Sequence, residues 1–144
     1  MVRFLTSWSE LTRQSFKASA GVIASGVNGT FVSKIGDTLD LPTAGAIGVY
    51  QIISESYRDG TAGKWAPDVA ASGDNVLSVA YGKYRAVTDQ FTGSPAVGDK
   101  LKVTAAGKLA TTSTAAEFVA VCTTASHSIT QLGASVTVIE FVTL

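Results

Sequence analysis

The chain has 144 residues, of which 46% are hydrophobic and only 15% charged, and its basic and acidic residues cancel to a formal net charge of zero. A charged fraction this far below the usual ~25%, without a basic cluster, argues against nucleic-acid binding by phosphate neutralisation. No stretch approaches the ~20 apolar residues of a transmembrane helix, so we expect neither a nucleic acid nor a membrane as partner.

Cysteine content and the first residues bear on the cellular compartment. The single cysteine, Cys122, excludes an intrachain disulfide and a CxxC motif. It lies in an apolar run, which predicts a buried strand residue. The sequence becomes polar directly after residues 1–5 and does not continue into the long apolar core of a signal peptide. We therefore expect synthesis in a reducing cytoplasm.

Residues 1–20 are predicted to form an N-terminal arm that is extended or partly helical. Ser7 or Ser9 could cap a short helix over residues 10–17. Large aromatic side chains in an arm need a surface to bury them, either a partner's or the protein's own core. The candidate contact residues of this arm are Arg3, Phe4, Trp8, Leu11 and Phe16.

Residues 21–56 are predicted to be strand-like. Asn28-Gly29 is a strong hairpin signal, and apolar pairs flank it at residues 22–23 and 31–32. Leu39 and Leu41 alternate with polar residues, as in a half-buried strand. A turn at residues 43–46 leads to a predicted buried strand over residues 47–53.

The middle of the chain combines a loop and a strand. Residues 57–75 hold three glycines and one proline and predict a long surface loop. Trp65 within it is either a lid over the core or an exposed contact residue. Residues 76–81 alternate as a strand, and Gly82 is interpreted as a bulge.

The C-terminal third, residues 95–144, predicts a compact β module. It contains a Gly98-Asp99 turn, a short strand, an Ala106-Gly107 turn, a second short strand and two β-branched strands. His127 is expected in a turn between those last two strands. A weak internal repeat relates residues 31–56 to residues 95–125, because each contains Gly-Asp-x-Leu followed by Ala-Gly and an apolar strand. The sequence thus indicates one β domain over residues 21–144.

The sequence offers no recognisable catalytic constellation. His127 is the only histidine, and the chain lacks a nucleophile elbow, a P-loop and a dinucleotide fingerprint. The aspartates at positions 37, 59, 74 and 99 lie beside glycine or in turn-forming sequence, where a structural role is favoured. We expect no enzymatic activity, no cofactor and no metal.

The C-terminal module resembles the head decoration, or capsid cement, proteins of tailed bacteriophages. The similarity rests on V-G-D at residues 97–99, A-G at residues 106–107 and T-T at residues 111–112, followed by two apolar strands. One departure is Val119-Ala120-Val121, where family members often have a central glycine. Residues 47–49, in the first repeat, do have that glycine. The match covers about a third of the chain well and a further third loosely.

The resemblance implies an all-β fold, a small β-barrel or a β-tulip or sandwich, and a structural virion protein on the outer capsid surface. Its implied partners are the major capsid protein and further copies of itself in a homotrimer. Under this hypothesis, deleting residues 1–16 should abolish shell binding and leave the β fold intact. Two alternatives stay open: a phage tail tube or fibre subunit, and a carbohydrate- or ligand-binding β module that uses Tyr57, Trp65 and Tyr81.

Overall fold

The computed structural model describes residues 1–7, 9–53, 76–131 and 133–144. Within these ranges the chain forms a six-stranded antiparallel sheet and a closed five-stranded barrel. This architecture confirms the predicted all-β fold with a small barrel. The predicted loop over residues 57–75, with Tyr57 and Trp65, lies outside the described residues.

The elements follow in chain order. They are β1 (Val2–Phe4), β2 (Thr12–Ala18), α1 (Ala20–Ser25), β3 (Phe31–Ile35), β4 (Thr38–Asp40), β5 (Tyr50–Ile52), β6 (Val76–Tyr81), β7 (Arg85–Thr88), β8 (Lys100–Val103), β9 (Leu109–Thr111), a 3₁₀ turn (Ala115–Glu117), β10 (Ala120–Gln131) and β11 (Ala134–Thr143). The sheet has the order β1-β7-β11-β10-β8-β9, and the barrel has the order β2-β4-β3-β5-β6.

The barrel closes because β2 pairs on both of its edges. It runs antiparallel to β6 over six residue pairs and parallel to β4 over two. Alternate residues of its strands point inward and fill the interior with side chains that water does not reach: Val32, Leu39, Ile52, Leu77 and Val79. The barrel is therefore a packed core without a channel.

Helix α1 replaces the strand that was predicted at residues 22–23. Ser19 caps the helix, since its hydroxyl accepts a hydrogen bond from the Val22 amide at 3.3 Å. The helix ends at Ser25, with Gly26 as its C-cap, and the fully buried Val22 packs into the barrel core. The predicted hairpin is therefore wrong, although residues 28–29 do form a turn, which leads from α1 to β3.

The buried amide of Asn28 explains this turn. Its Oδ1 accepts a hydrogen bond from the Val2 amide at 2.7 Å, and its Nδ2 donates to the Ile53 carbonyl at 3.1 Å. Gly29 is also close-packed, because a Cβ there would lie 2.8 Å from the Met1 carbonyl oxygen. The Asn-Gly pair thus joins β1 to the barrel, a role that depends on contacts distant in sequence.

A second core lies on the six-stranded sheet. Phe31 and Phe141 contact each other edge to face, with 5.9 Å between ring centroids, and Phe141 contacts Tyr84 at 6.1 Å. Phe31 lies on a barrel strand, whereas Phe141 lies on β11. The barrel and the sheet consequently share this core.

In the C-terminal module, residues 95–144, the order of turns and strands largely agrees with the one predicted. Turns at residues 97–98 and 105–106 flank β8, and β9 to β11 follow. Cys122 is buried in β10, as expected. His127 is not in a turn, because β10 continues to Gln131 and the described turn residue before β11 is Gly133. The Ser/Thr-rich sequence around His127 suggested a loop, but its alternation of exposed and half-buried residues is that of an exposed strand.

Three further expectations can be compared with the described strands. The strand predicted over residues 47–53 is shorter, covering only Tyr50–Ile52, because Gly48 has a left-handed φ of 65°. Gly82, with φ of 80°, lies in the β6–β7 connection and not in a strand bulge. The two Gly-Asp-x-Leu segments each bury their leucine, Leu39 or Leu101. They pair differently, since β4 lies between β2 and β3 whereas β8 lies between β10 and β9.

Candidate interaction surface

Of the residues predicted as a capsid-contacting arm, Arg3, Phe4 and Phe16 lie in strands of the fold. Phe4 ends β1, which pairs with β7, and its ring contacts Tyr84 edge to face at 5.2 Å. Leu11 is only 6% exposed and belongs to the core on the sheet. Arg3 is exposed on β1. Trp8 lies outside the described residues.

Phe16 lies in β2 and not in a helix over residues 10–17. Strand alternation places it on the inward side of the barrel, at an end where it remains half-buried. Its ring contacts Tyr50 at 5.8 Å, Tyr50 contacts Tyr81 at 5.3 Å, and the Lys34 ammonium lies 5.0 Å from the Phe16 ring centroid. The interpretation of residues 1–20 as a separate arm is therefore replaced by two strands that help build both cores.

Tyr81 was a candidate for a sugar-stacking platform. Its contact with Tyr50 makes it part of the aromatic group that closes this end of the barrel. The other two aromatic residues of that hypothesis, Tyr57 and Trp65, are not described. The described geometry thus gives Tyr81 a packing role.

An apolar cleft lies between the barrel and the sheet. Its volume is about 180 Å³, and its lining includes Val49, Phe118, Val119 and Leu144. Small-molecule sites usually measure ~300–1,000 Å³, so this cleft suits a single apolar side chain better than a ligand. Ile47, next to the cleft in sequence, is 67% exposed.

A larger, polar depression of about 480 Å³ lies beside β8 and β9. Next to it the Glu117 carboxylate accepts hydrogen bonds from Lys102 Nζ and from Thr112 Oγ1, both at 3.0 Å. Hydrogen bonding to Lys102 and then to Thr112 holds the pKa of Glu117 below its usual range. These satisfied contacts anchor the 3₁₀ turn against the sheet and give Glu117 a structural role.

A buried polar pair lies where the barrel meets the sheet. The Tyr84 hydroxyl donates to Gln51 Oε1 at 2.9 Å, and Gln51 Nε2 donates to the Gly29 carbonyl at 3.0 Å. Burial raises the pKa of Tyr84, so the hydroxyl keeps its proton and remains a donor. The pair fixes the relative position of β5 and the β6–β7 connection.

The outer half of the β10–β11 hairpin is largely exposed. We call it the distal ribbon: residues 127–131 paired with residues 134–138, from His127 opposite Val138 to Gln131 opposite Ala134. β11 pairs with β7 only over Ile139–Val142, and β10 pairs with β8 only at residues 120–121. Among the described strands, none pairs with either outer edge of the distal ribbon.

Bulges set the distal ribbon apart from the sheet. The register of β10 against β11 shifts twice, between Cys122 and Thr124 and between Thr124 and His127. Bulges bend a strand and increase its twist. Pairing with β7 and β8 therefore stops near these shifts, and the hairpin continues without a neighbouring strand among the described residues.

Nothing in the described geometry assembles a catalytic site. His127 Nδ1 lies 3.0 Å from the Ala125 carbonyl oxygen, within its own strand. Burial raises the pKa of the Cys122 thiol, whose Sγ donates to the Thr124 carbonyl at 3.3 Å. No group of three metal-binding side chains occurs in the described parts of the chain. Neither described helix has the length and hydropathy to cross a membrane.

No protein-family model matches the chain, and no curated protein matches it significantly.

Sequence reasoning missed the distal ribbon as a surface because it placed a turn at His127. The alternation of residues 126–131 was the available signal for a longer strand.

Proposed function

We propose that the protein is a structural component of a tailed-phage virion, which decorates and stabilises the outer surface of the icosahedral capsid. The C-terminal module carries the proposal. The backbone is left-handed at Gly98 and Gly107, with φ of 90° and 70°, and such turns favour the glycines on which the resemblance rests. The strands between and after them follow the order of that pattern.

The described surface supports an assembly role. Several apolar side chains are largely exposed: Ile35, Ile47, Val97 and Leu144, each more than half. Charged side chains that would keep a free monomer soluble are few. Such a surface fits repeated contacts with neighbouring subunits, where weak identical interactions add up through symmetry.

The proposed partners are the major capsid protein and two further copies of this chain. In the candidate contact set, Arg3 keeps an exposed side chain, whereas Phe4 and Leu11 serve the protein's own core. Capsid contact in this region would therefore use the outer surface of β1 and its surroundings. A free arm that inserts its aromatic residues into the shell is not needed.

Co-sedimentation with capsid shells tests this function. Purified protein is mixed with expanded and unexpanded shells assembled from the major capsid protein of the same virus, and each mixture is run on a density gradient. We expect binding to expanded shells at a fixed copy number per shell, and a higher temperature of shell rupture. An Arg3→Glu variant should bind less, while Lys100→Glu, an exposed charge reversal on β8 that three strands separate from β1, should bind as wild type.

Other outcomes would support the alternatives. Open tubes or stacked rings formed without any shell would indicate a tail component. Protein that ignores both kinds of shell but shows a saturable change in tryptophan fluorescence with glycans would indicate a ligand-binding module. Either result contradicts the decoration proposal.

A further inference from the structure

The Asn28-Gly29 pair combines chemical reactivity with a place that the fold requires. An asparagine followed by glycine is especially prone to deamidation, because glycine has no side chain to hinder attack of its nitrogen on the asparagine amide. Gly29 is required here, since its φ is 94° and a Cβ would lie 2.8 Å from the Met1 carbonyl oxygen. Asn28 is required because both ends of its buried amide bond to distant backbone groups. The fold therefore retains a reactive pair at this turn.

Deamidation of this pair would be a ring closure followed by hydrolysis. The Gly29 backbone nitrogen attacks Cγ of Asn28 and gives up its proton. Nδ2 takes up that proton and leaves as ammonia, so that a succinimide ring joins the two residues. Water then opens the ring on one side or the other and leaves an aspartyl or an isoaspartyl residue at position 28. The conversion exchanges an amino group for a hydroxyl group, a mass change that peptide mass spectrometry resolves.

The folded protein holds the groups that this ring closure consumes. Asn28 Nδ2 donates to the Ile53 carbonyl at 3.1 Å, and the Gly29 amide donates to the Ile52 carbonyl at 2.8 Å. Ring closure removes both donors, because Nδ2 leaves as ammonia and the ring nitrogen carries no hydrogen. Asn28 Oδ1 also accepts a hydrogen bond from the Val2 amide at 2.7 Å, which fixes the side chain. Since buried acceptors that lose their donors are costly, the folded turn resists the reaction.

Strand β1 is held less firmly than the end of β5, the other segment bonded to Asn28. It is three residues long, lies at the edge of the sheet and pairs only with β7 in the part of the chain that the structure describes. β5 pairs on both of its edges, with β3 and with β6. Short edge elements open locally at a free-energy cost below that of global unfolding. When β1 opens, Asn28 Oδ1 loses its donor, and Gly29 loses its close contact with the Met1 carbonyl.

We propose that Asn28 is a deamidation site whose reactivity is controlled by the docking of β1. The docked strand protects the pair, and each opening of β1 exposes it to ring closure. Conversion then opposes re-docking, because an aspartate carboxylate has no hydrogen to donate to the Ile53 carbonyl, and an isoaspartyl residue lengthens the backbone where Gly29 is close-packed. The modified fraction thus records the time that the chain has spent with β1 open. This inference does not depend on the proposed function.

Peptide mass spectrometry of the wild-type protein tests the site. The protein is incubated at mildly alkaline pH, folded in buffer or unfolded in concentrated guanidinium chloride, and the tryptic peptide of residues 18–34 is followed over time. We expect steady conversion of Asn28 in denaturant and conversion at least about a hundredfold slower in buffer. The chain's other asparagine, Asn75, is an internal control, because the branched side chain of Val76 hinders the same attack. In denaturant Asn75 should convert far more slowly than Asn28.

Two phenylalanine truncations test the role of β1. Phe4→Ala removes the ring with which β1 contacts Tyr84, whereas Phe16→Ala removes a similarly half-buried ring that lies on β2 and contacts Tyr50. In buffer, Phe4→Ala should convert Asn28 at least about tenfold faster than wild type, the effect of ~1.4 kcal/mol of lost docking free energy. Phe16→Ala should convert it at the wild-type rate. Circular dichroism confirms that both variants are folded under the conditions of incubation.

A denaturant series on the wild type distinguishes local opening from global unfolding without any variant. The response to denaturant grows with the surface that an opening exposes, so the logarithm of the conversion rate should rise with low guanidinium far less steeply than the global unfolding constant. Four results would overturn the inference: no conversion of Asn28 in concentrated denaturant, equal rates in the folded and unfolded protein, equal rates in Phe4→Ala and Phe16→Ala, or a slope equal to that of global unfolding.

Discussion

Gly107, in the connection between β8 and β9 of the sheet, lies against the start of the barrel strand β3, and its substitution by alanine should destabilise the protein strongly. A Cβ at Gly107 would lie 2.4 Å from the Phe31 carbonyl oxygen and 2.5 Å from Thr30 Cγ2. The Gly107 carbonyl also accepts a hydrogen bond from the Phe31 amide at 2.8 Å. Alanine must therefore displace the start of β3 or break this bond.

The expected cost has two parts. The left-handed backbone at Gly107, with φ of 70°, costs alanine ~1–2 kcal/mol. Losing the hydrogen bond while its groups stay buried costs a further ~1–3 kcal/mol. Together they should lower the free energy of unfolding by about 2–5 kcal/mol, a large part of the ~5–15 kcal/mol typical of a domain.

Gly93→Ala is the matched control for this effect. Its φ of 75° is nearly the same, but no atom in the described part of the chain lies within 4 Å of its added Cβ. Urea unfolding followed by circular dichroism, with linear extrapolation, should show only the ~1–2 kcal/mol backbone cost for Gly93→Ala. If both variants lose the same stability, the close contact at Gly107 does not contribute and the reasoning is refuted.

Three further variants test individual contacts by the same urea measurement. Tyr84→Phe leaves the buried Gln51 Oε1 without its donor and should cost ~1–3 kcal/mol; a loss near zero would contradict the contact. Glu117→Gln should destabilise the protein at neutral pH. Because hydrogen bonding to Lys102 lowers the pKa of Glu117 in the folded state, this contribution is complete above its ordinary pKa of ~4.3 and declines as the pH falls through the lowered value. The two proteins should thus converge in acid, and a constant difference would refute the assignment. Thr123→Val should stabilise the protein by ~1 kcal/mol, because the buried Thr123 hydroxyl has no partner among the described residues; a loss of stability would indicate a partner.

Local signals predicted the parts of the fold that depend on local chemistry. The glycines at positions 98 and 107 marked turns because both adopt positive φ. The alternation in residues 76–81 predicted β6, whose inward residues Leu77 and Val79 are buried. These features need no information about distant parts of the chain.

The failures concern positions whose role depends on distant partners. Val22 and Ile23 are β-branched and suggested a strand, but the Ser19 cap and the barrel core favour α1. Phe4 was expected to anchor an arm because its contact with Tyr84 depends on pairing of β1 with β7, about eighty residues away. Local pattern cannot distinguish an aromatic residue that binds a partner from one that binds its own distant core.

The strand positions of the first residues change the expected outcome of deleting residues 1–16. The deletion removes β1 and most of β2, the strand that joins β4 to β6 and closes the barrel. It also removes Leu11 and Phe4 from the core on the sheet. We therefore expect the truncated protein to lose cooperative unfolding, measured by circular dichroism in urea, and not to retain an intact fold.

A truncated protein that fails to bind shells would thus say nothing about capsid contact, because lost binding would follow from lost folding. A cooperative transition at the wild-type urea midpoint would instead show that β1 and β2 are dispensable and would restore the independent arm. Arg3→Glu avoids this ambiguity, since the Arg3 side chain is exposed and the strand pairing of β1 uses backbone groups. Unchanged stability together with weaker shell binding in that variant would assign a capsid contact to the outer surface of β1.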